Sequence, residues 1–504
     1  MVMRRRIAAG ALAGVLLLAG CSGGSDGGTT HARGDNAAPD RPVPDRAAPA
    51  PGLSTFALDV DTASYGYARR TLGEGRLPEP KGVRPEEFVN SFRPDYPRPK
   101  DNGFSVTLDG ARSDADGWSL VRVGLATRAS DVERPPAALT FVVDVSGSMD
   151  EPGRLDLVKE SLGLLVGRLR DDDAIALVTF SAEAETELPM TRVGGARERI
   201  REAVDSLETS SSTNVEAGVR TGYDVAVEGH RKGATNRVVL LSDALANTGD
   251  TDADGILERI DEERREHGIT LFGVGVGSEY GDAFMERLAD KGDGHTTYVA
   301  TPEQARKVFV DQLPGHIELR ARDAKAQVAF DPKTVESFRL VGYDDRKVAD
   351  EDFRDDRVDG GEIGAGHTVT ALYSVRLRPG RSGRVATATV RWLDPVTRAP
   401  HERSGAVDSA ALTAPLWGAG HDSLQLTAIA AYFADRLRGG RLPGAPALPR
   451  LASRAEALAE RARSASVQEL ARAIRQADSL GAGSRGGDEK GTEGGTEGGD
   501  PYAR

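Results

Sequence analysis

Residues 137–149 read AALTFVVDVSGSM, and the rest of the chain is organised around this stretch. Leu139 to Val143 is a short, nearly continuous apolar run rich in β-branched and aromatic residues, and it ends abruptly in the polar loop Asp144-Val145-Ser146-Gly147-Ser148. Such a run predicts a strand buried on both faces, as in a parallel sheet. The loop carries one carboxylate and two hydroxyls at alternate positions, so Asp144, Ser146 and Ser148 can converge just beyond the strand's carboxyl end. Oxygen-only ligands of low total charge suit a hard divalent cation. Taken alone, D-x-S-x-S also fits a turn with a helix N-cap. Two later segments decide between these readings.

From here strand and helix alternate. A helix over 155–169 puts Leu155, Val158, Leu162, Leu165 and Leu169 on one stripe. A strand over 174–180 follows, then an amphipathic helix over 196–207, and Ser210-Ser211-Ser212-Thr213-Asn214 opens a helix over 215–227. A strand over 237–241 ends in Ser242-Asp243, a helix over 253–267 leads to a strand over 270–276, and two short helices flank a last strand at 296–299. This rhythm predicts an α/β fold, a mostly parallel sheet with helices on both faces, which binds ligands beyond the carboxyl ends of its strands. Three loops at that rim carry oxygen ligands: Asp144/Ser146/Ser148, then Thr213, then Asp243.

Together these loops resemble the metal-ion-dependent adhesion site (MIDAS) of von Willebrand factor type A (VWA) domains, whose pattern is D-x-S-x-S, a distal threonine and a distal aspartate after a strand. The resemblance implies a Rossmann-like VWA domain over 137–315. It implies that Ser146, Ser148 and Thr213 contact a divalent cation directly while Asp144 and Asp243 act largely through coordinated water. Mg²⁺ is the expected ion, with Mn²⁺ or Ca²⁺ as alternatives. One departure is Ala244, where the family usually has glycine. Two carboxylates around a dication leave it electrophilic, with an open position that an Asp or Glu of a protein partner can fill. The bland alternatives are a metal that only stabilises the loops, or an empty site.

Upstream, Arg4 to Arg6, a short apolar run and Leu18-Ala19-Gly20-Cys21 are similar to a bacterial lipoprotein signal over 1–20, with Cys21 as the lipidation site and the product held at the membrane outside the cytoplasm. The apolar run is too short to span about 30 Å of hydrocarbon as a helix. Cys21 is the only cysteine, so no internal disulfide is expected. Residues 21–52, poor in large apolar side chains, read as a disordered tether. Order is expected from residue 53. A strand over 55–60, a helix capped at Asp61-Thr62 with Tyr65, Ala68 and Leu72 on one face, and a second helix over 83–92 make up an amino-terminal region, 53–100.

Alternating strands at 104–127 and again at 324–330, 337–343, 368–377 and 384–392 predict a β-sandwich formed by 101–136 pairing with 316–405, with the α/β domain inserted in it or flanked by it. Two independent small sheets is the alternative. Residues 406–480 are read as carboxyl-terminal helices, 423–437 and 452–480, and 481–504 as a disordered tail. The segments STFALDVDTASYGYARRTL, VRPEEFVNSF and DGGEIGAGHTVTALYSV resemble a bacterial family of VWA lipoproteins with a dedicated amino-terminal region and a carboxyl-terminal domain of unknown function.

The 504 residues carry a formal charge of -13, and -16 without the first 20, which disfavours nucleic acid and anionic lipid surfaces as partners. The eight histidines are scattered without metal spacing, and Ser146 has no G-x-S-x-G context. Gly273, Gly275 and Gly277 lack the lysine and spacing of a phosphate loop and are read as a tight strand-to-loop passage. No catalytic residue, small-molecule substrate or organic cofactor is expected. The reading is a surface-anchored binding protein that engages an acidic residue of a partner through a divalent cation. A metal-dependent envelope enzyme and an envelope-complex assembly factor stand as alternatives.

Overall fold

The computed structural model describes residues 52–58, 62–129, 134–243, 267–277, 296–299, 301–306, 318–356, 360–395 and 397–481, with 48, 49, 256, 308, 309 and 358 besides. The signal segment, Cys21, most of the helix expected over 253–267, Ala244 and the expected tail beyond 481 lie outside the described residues.

The chain begins with β1 (Ala48–Pro49), β2 (Gly52–Ala57), α1 (Ala63–Gly73), α2 (Pro85–Asn90), β3 (Phe104–Arg112) and β4 (Trp118–Thr127). It then enters an α/β segment: β5 (Ala137–Asp144), α3 (Leu155–Arg168), β6 (Ala174–Phe180), β7 (Ala184–Arg192), α4 (Arg197–Asp205), α5 (Val215–Glu228), β8 (Thr235–Ser242), β9 (Thr270–Val276), β10 (Thr296–Val299) and α6 (Pro302–Arg306). It returns to antiparallel strands with β11 (Leu319–Phe330), β12 (Val335–Leu340), β13 (Ile363–Gly364), β14 (Thr368–Leu377), β15 (Arg384–Leu393) and β16 (Pro400–Asp408). It closes with α7 (Asp422–Leu437), α8 (Leu448–Ala462) and α9 (Ala465–Ser479).

The α/β segment builds one sheet in the order β10-β9-β8-β5-β6-β7. Every pairing is parallel except β6 with β7. All eight residues of β5 are buried, because helices cover both faces. Leu139, Phe141 and Val143 pack with α3 and α4 on one side, while Val142, Val178 and Leu240 pack with Val219 and Tyr223 of α5 on the other. The edge strand β7 was not expected from the sequence. AETELPMTR shows no apolar alternation and buries only Leu188, and its Pro189 is tolerated because an edge strand leaves one row of backbone groups unpaired.

The antiparallel strands form two further sheets. In one, of order β1-β12-β14-β4-β3, Thr368 pairs with Ala126 and Arg376 with Trp118, so strands from before and after the α/β segment share a sheet. The other has the order β13-β11-β15-β16, with β2 alongside β11. Their inner faces meet over Phe104, Val121, Val123, Val328, Val390 and Tyr373, and Phe330 stacks on Phe338 with centroids 4.0 Å apart. The α/β segment is therefore an insertion between β4 and β11 of a sandwich. Arg237 at the start of β8 donates to Glu362 at 2.9 Å, and Arg322 of β11 reaches the same carboxylate at 3.3 Å, joining the inserted segment to the sandwich.

Several expectations need correction. Ala48 and Pro49, placed in the tether, pair with Phe338 and Ser337 of β12. Residues 53–100, read as an amino-terminal region, contribute to two cores: β2 is a sandwich strand, and Tyr65, Leu72 and Phe88 share a helical core with α7, α8 and α9. Thr62 makes no side-chain cap on α1; instead Ser64 N donates to the buried Glu87 carboxylate at 2.8 Å. β16 runs through the boundary expected at 405, and its polar, Gly-containing sequence HERSGAVD hides it from an alternation search. The single helix expected over 452–480 is two, because Arg463 takes a left-handed φ of 47° and Ser464 starts a new helix by accepting from Val467 N. Among the described residues no helix is long and apolar enough to cross a membrane.

Candidate metal site at the rim of the parallel sheet

Strand register brings the chemistry together. Asp144 is the last residue of β5, and Val143 pairs with Leu241 of β8, so Ser242 and Asp243 emerge beside it. Asp144 is fully buried. One of its oxygens accepts from Ser146 N at 2.8 Å and the other from Ser242 Oγ at 2.5 Å. The first bond folds the loop back on itself, and the Ser146 and Ser148 hydroxyl oxygens then lie 3.1 Å apart.

The Thr213 loop is fastened to this one by backbone bonds. Ser210 N donates to Val145 O at 2.6 Å, and Asn214 N donates to Ser181 O at 2.7 Å. Thr213 itself is buried, and Asn214 caps α5 by accepting from Ala217 N. Helix α5 approaches the sheet through glycines: a Cβ on Gly218 would lie 2.5 Å from the Phe180 ring, and one on Gly222 2.3 Å from a Val142 methyl. This close approach sets the height of the Thr213 loop above the strand ends.

Asp243 is fully buried as well. Its Oδ2 accepts from Arg154 Nη1 at 2.7 Å, and the same nitrogen donates to Ser148 O at 2.9 Å. Asp144, Ser146, Ser148 and Asp243 thus meet at one rim, with Thr213 on the loop laid against them. Sequence reasoning missed two participants. Ser242 was visible in the register, since it precedes Asp243 at a strand end beside Asp144. Arg154 carries no local signal; its place is defined by Gly277, far along the chain.

The electrostatics fit a cation. Burial pushes the Asp144 carboxyl up from 3.8 to about 6, against hydrogen bonds from Ser146 and Ser242, and the neighbouring Asp243 charge raises it further. Among the described residues the buried Asp243 Oδ1 has no hydrogen-bond partner. A buried, unpartnered carboxylate oxygen is costly, and a dication beside the serine hydroxyls would supply its missing partner. Among the described residues no group of three or more His, Cys, Asp or Glu side chains is placed to hold a metal. A cleft of about 590 Å³ opens next to the loop, lined by Met149, Glu151, Leu155, Asp156, Lys159 and Glu208 among others.

This arrangement has relatives. A family model described as the von Willebrand factor type A domain matches residues 138–311, one for the carboxyl-terminal region of the uncharacterized protein YfbK matches 317–384, and one described as von Willebrand factor matches 43–119. These matches support a likeness to bacterial proteins that contain a VWA domain. It is 39% identical to the uncharacterized protein YfbK of Escherichia coli (strain K12) over 336 residues, 64% of this chain and 58% of that protein. It is 28% identical over 193 residues to an uncharacterized protein of Synechocystis sp., covering 38% of this chain and 44% of that one. The chain thus spans about half the length of these curated relatives. Among solved structures, a von Willebrand factor type A protein from Catenulispora acidiphila aligns with 75% of this chain and 91% of its own at 16% identity and a TM-score of 0.48. VWA domains commonly bind a divalent metal, and they generally serve as interaction modules rather than enzymes, which accords with a protein-binding, adhesion-like role.

Proposed function

We propose that this protein is a membrane-anchored, extracytoplasmic binding protein that engages an acidic side chain of a protein partner through a divalent cation, Mg²⁺ being the expected ion. Ser146, Ser148 and Thr213 would offer hydroxyl ligands, and Asp144 and Asp243 the compensating charge. When bound, the cation supplies a Lewis-acidic centre that accepts a further oxygen ligand. The chain's own part is to bury the carboxylates, converge the hydroxyls and fix the loops through the Ser210–Val145 and Asn214–Ser181 backbone bonds. The observation that carries the reading is Asp243 Oδ1, a buried carboxylate oxygen without a hydrogen-bond partner among the described residues, beside a hydroxyl-lined loop.

Anchoring is assigned to Cys21, with the following Gly- and Pro-rich segment holding the folded part off the membrane. The test is affinity capture from membranes with and without EDTA, comparing the native sequence with Asp144→Ala. Partners lost on chelation and absent with the variant support cation bridging. Partners retained equally in every condition overturn it.

A further inference from the structure

Arg154 lies outside the donor set, yet it is the most elaborately housed charge at the rim. It is 3% exposed. Nη1 bridges Asp243 Oδ2 and Ser148 O, and Nη2 meets Glu151 Oε2 at 2.8 Å. Its stem runs against Gly277, which has a φ of +93°; a Cβ there would lie 2.8 Å from Arg154 Nε and 3.1 Å from Cγ. The glycine that follows β9 therefore leaves the space the guanidinium stem occupies. A flexible surface arginine would not need such a berth.

The consequence lies in charge and orientation. With Asp144 and Asp243 ionised, the rim carries two negative charges and one positive. Glu151 is 65% exposed at its side chain, so its charge is largely screened by water. The rim then stands near -1 without a dication and near +1 with one. Arg154 also occupies one oxygen of Asp243, and the other has no partner among the described residues.

We infer that Arg154 is a positioning and charge-setting residue of the cation site: it fixes Asp243 with one oxygen reserved for the cation, and its charge loosens cation binding while keeping the loaded site positive enough to prefer an anionic ligand. This rests on the cation reading proposed above. It explains how a site with two carboxylates still selects a third from a partner. Without the guanidinium, two aspartates would neutralise the dication and remove the electrostatic reason for a carboxylate to join it.

The test is Mn²⁺ binding followed by electron paramagnetic resonance of free ion, on the EDTA-stripped and dialysed full chain, for the native sequence, Arg154→Gln, Arg154→Met and Arg154→Lys. Repulsion between a guanidinium and a dication that share one carboxylate, even when screened by solvent toward its value in bulk water, predicts that removing the charge tightens Mn²⁺ binding by at least about tenfold. Arg154→Lys, which keeps the charge, is expected within about threefold of native. Arg154→Met gives the same readout should the glutamine variant not fold. A merely structural role would weaken binding in all three, and that result, or unchanged affinity in Arg154→Gln, overturns the inference alone. A native protein that takes up no Mn²⁺ overturns the cation reading and the inference with it.

Discussion

Replacing Asp144 with Asn separates the cost of the site from its use. In the absence of a cation, burial raises the Asp144 carboxyl from 3.8 to about 6. At about 1.36 kcal/mol per pKa unit, keeping it ionised at neutral pH costs the folded state about 3 kcal/mol. Asn keeps the contacts: its carbonyl accepts from Ser146 N, and its amide donates to Ser242 Oγ in place of the bond now running the other way. The variant is therefore expected to be more stable than native by up to about 3 kcal/mol in EDTA at pH 7.5, a rise of several degrees in Tm. The sign follows from linkage. The folded carboxyl binds its proton more tightly than the unfolded one, so native stability falls as pH rises from about 4 to about 6 and is lower by the full amount above that. The advantage of Asp144→Asn should shrink accordingly as pH is lowered through that window. Saturating Mg²⁺ should reverse the order, since a ligand at about 1,000 times its Kd adds about 4.1 kcal/mol to the protein that binds it and nothing to one that does not. Thermal unfolding at two pH values, with EDTA or Mg²⁺, reads all four conditions. An Asn variant less stable than native in EDTA would refute the reasoning, because Asp144 would then be held by favourable contacts alone.

Other perturbations test how the rim is held in place. Asp173 is fully buried at the opposite end of the sheet, where it accepts from Arg134 Nη1 at 2.7 Å, Ala137 N at 2.8 Å and Arg170 N at 2.7 Å. Burial acts to raise its pKa, but these bonds and the Arg134 charge outweigh burial and hold it below 3.8. Asp173→Ala should cost about 3 kcal/mol in urea unfolding at pH 7; this contribution is present above the unfolded carboxyl's pKa and lost as pH falls through the lower folded value, so native and variant should converge in acid. Gly222→Ala should destabilise by about 1–3 kcal/mol through its clash with Val142 and weaken Mn²⁺ binding by lifting α5 and the Thr213 loop. Gly163→Ala in α3, where a Cβ meets nothing within 4 Å, should stabilise by up to about 1 kcal/mol, and equal effects of the two glycine substitutions in chemical denaturation would contradict the packing argument. Cys21→Ala should move the protein from the membrane to the soluble fraction on cell fractionation; retention in the membrane would contradict a lipid anchor at that residue.

The α/β core was legible because its signals are local and mutually consistent. The run Leu139–Val143 can only be a strand covered on both faces, and the stripe Leu155, Val158, Leu162, Leu165 dictates which way α3 faces. The oxygen-bearing loops could be placed on one rim because parallel strands share a direction, so their carboxyl ends align. What escaped were features set by tertiary contact. β7 and β16 are edge strands whose side chains face solvent, so nothing in AETELPMTR or HERSGAVD alternates. The break at Arg463 interrupts an Ala-rich helical pattern without proline or glycine, and only the turn of α9 back along α8 requires it. The pairing of β2 was not legible in residues 53–100 because its strand partner lies some 270 positions away, in β11. Arg154 was hidden for the same reason: Gly277, which makes room for it, follows β9, far along the chain.

The central claim is tested most directly by anomalous diffraction from crystals of the protein grown with Mn²⁺. The account predicts a single strong peak among Ser146, Ser148 and Thr213, with Asp243 Oδ1 turned toward it and a solvent or carboxylate oxygen completing its coordination. A peak elsewhere, or none at this rim at saturating Mn²⁺ with Arg154 still bridging Asp243 and Ser148, would contradict it.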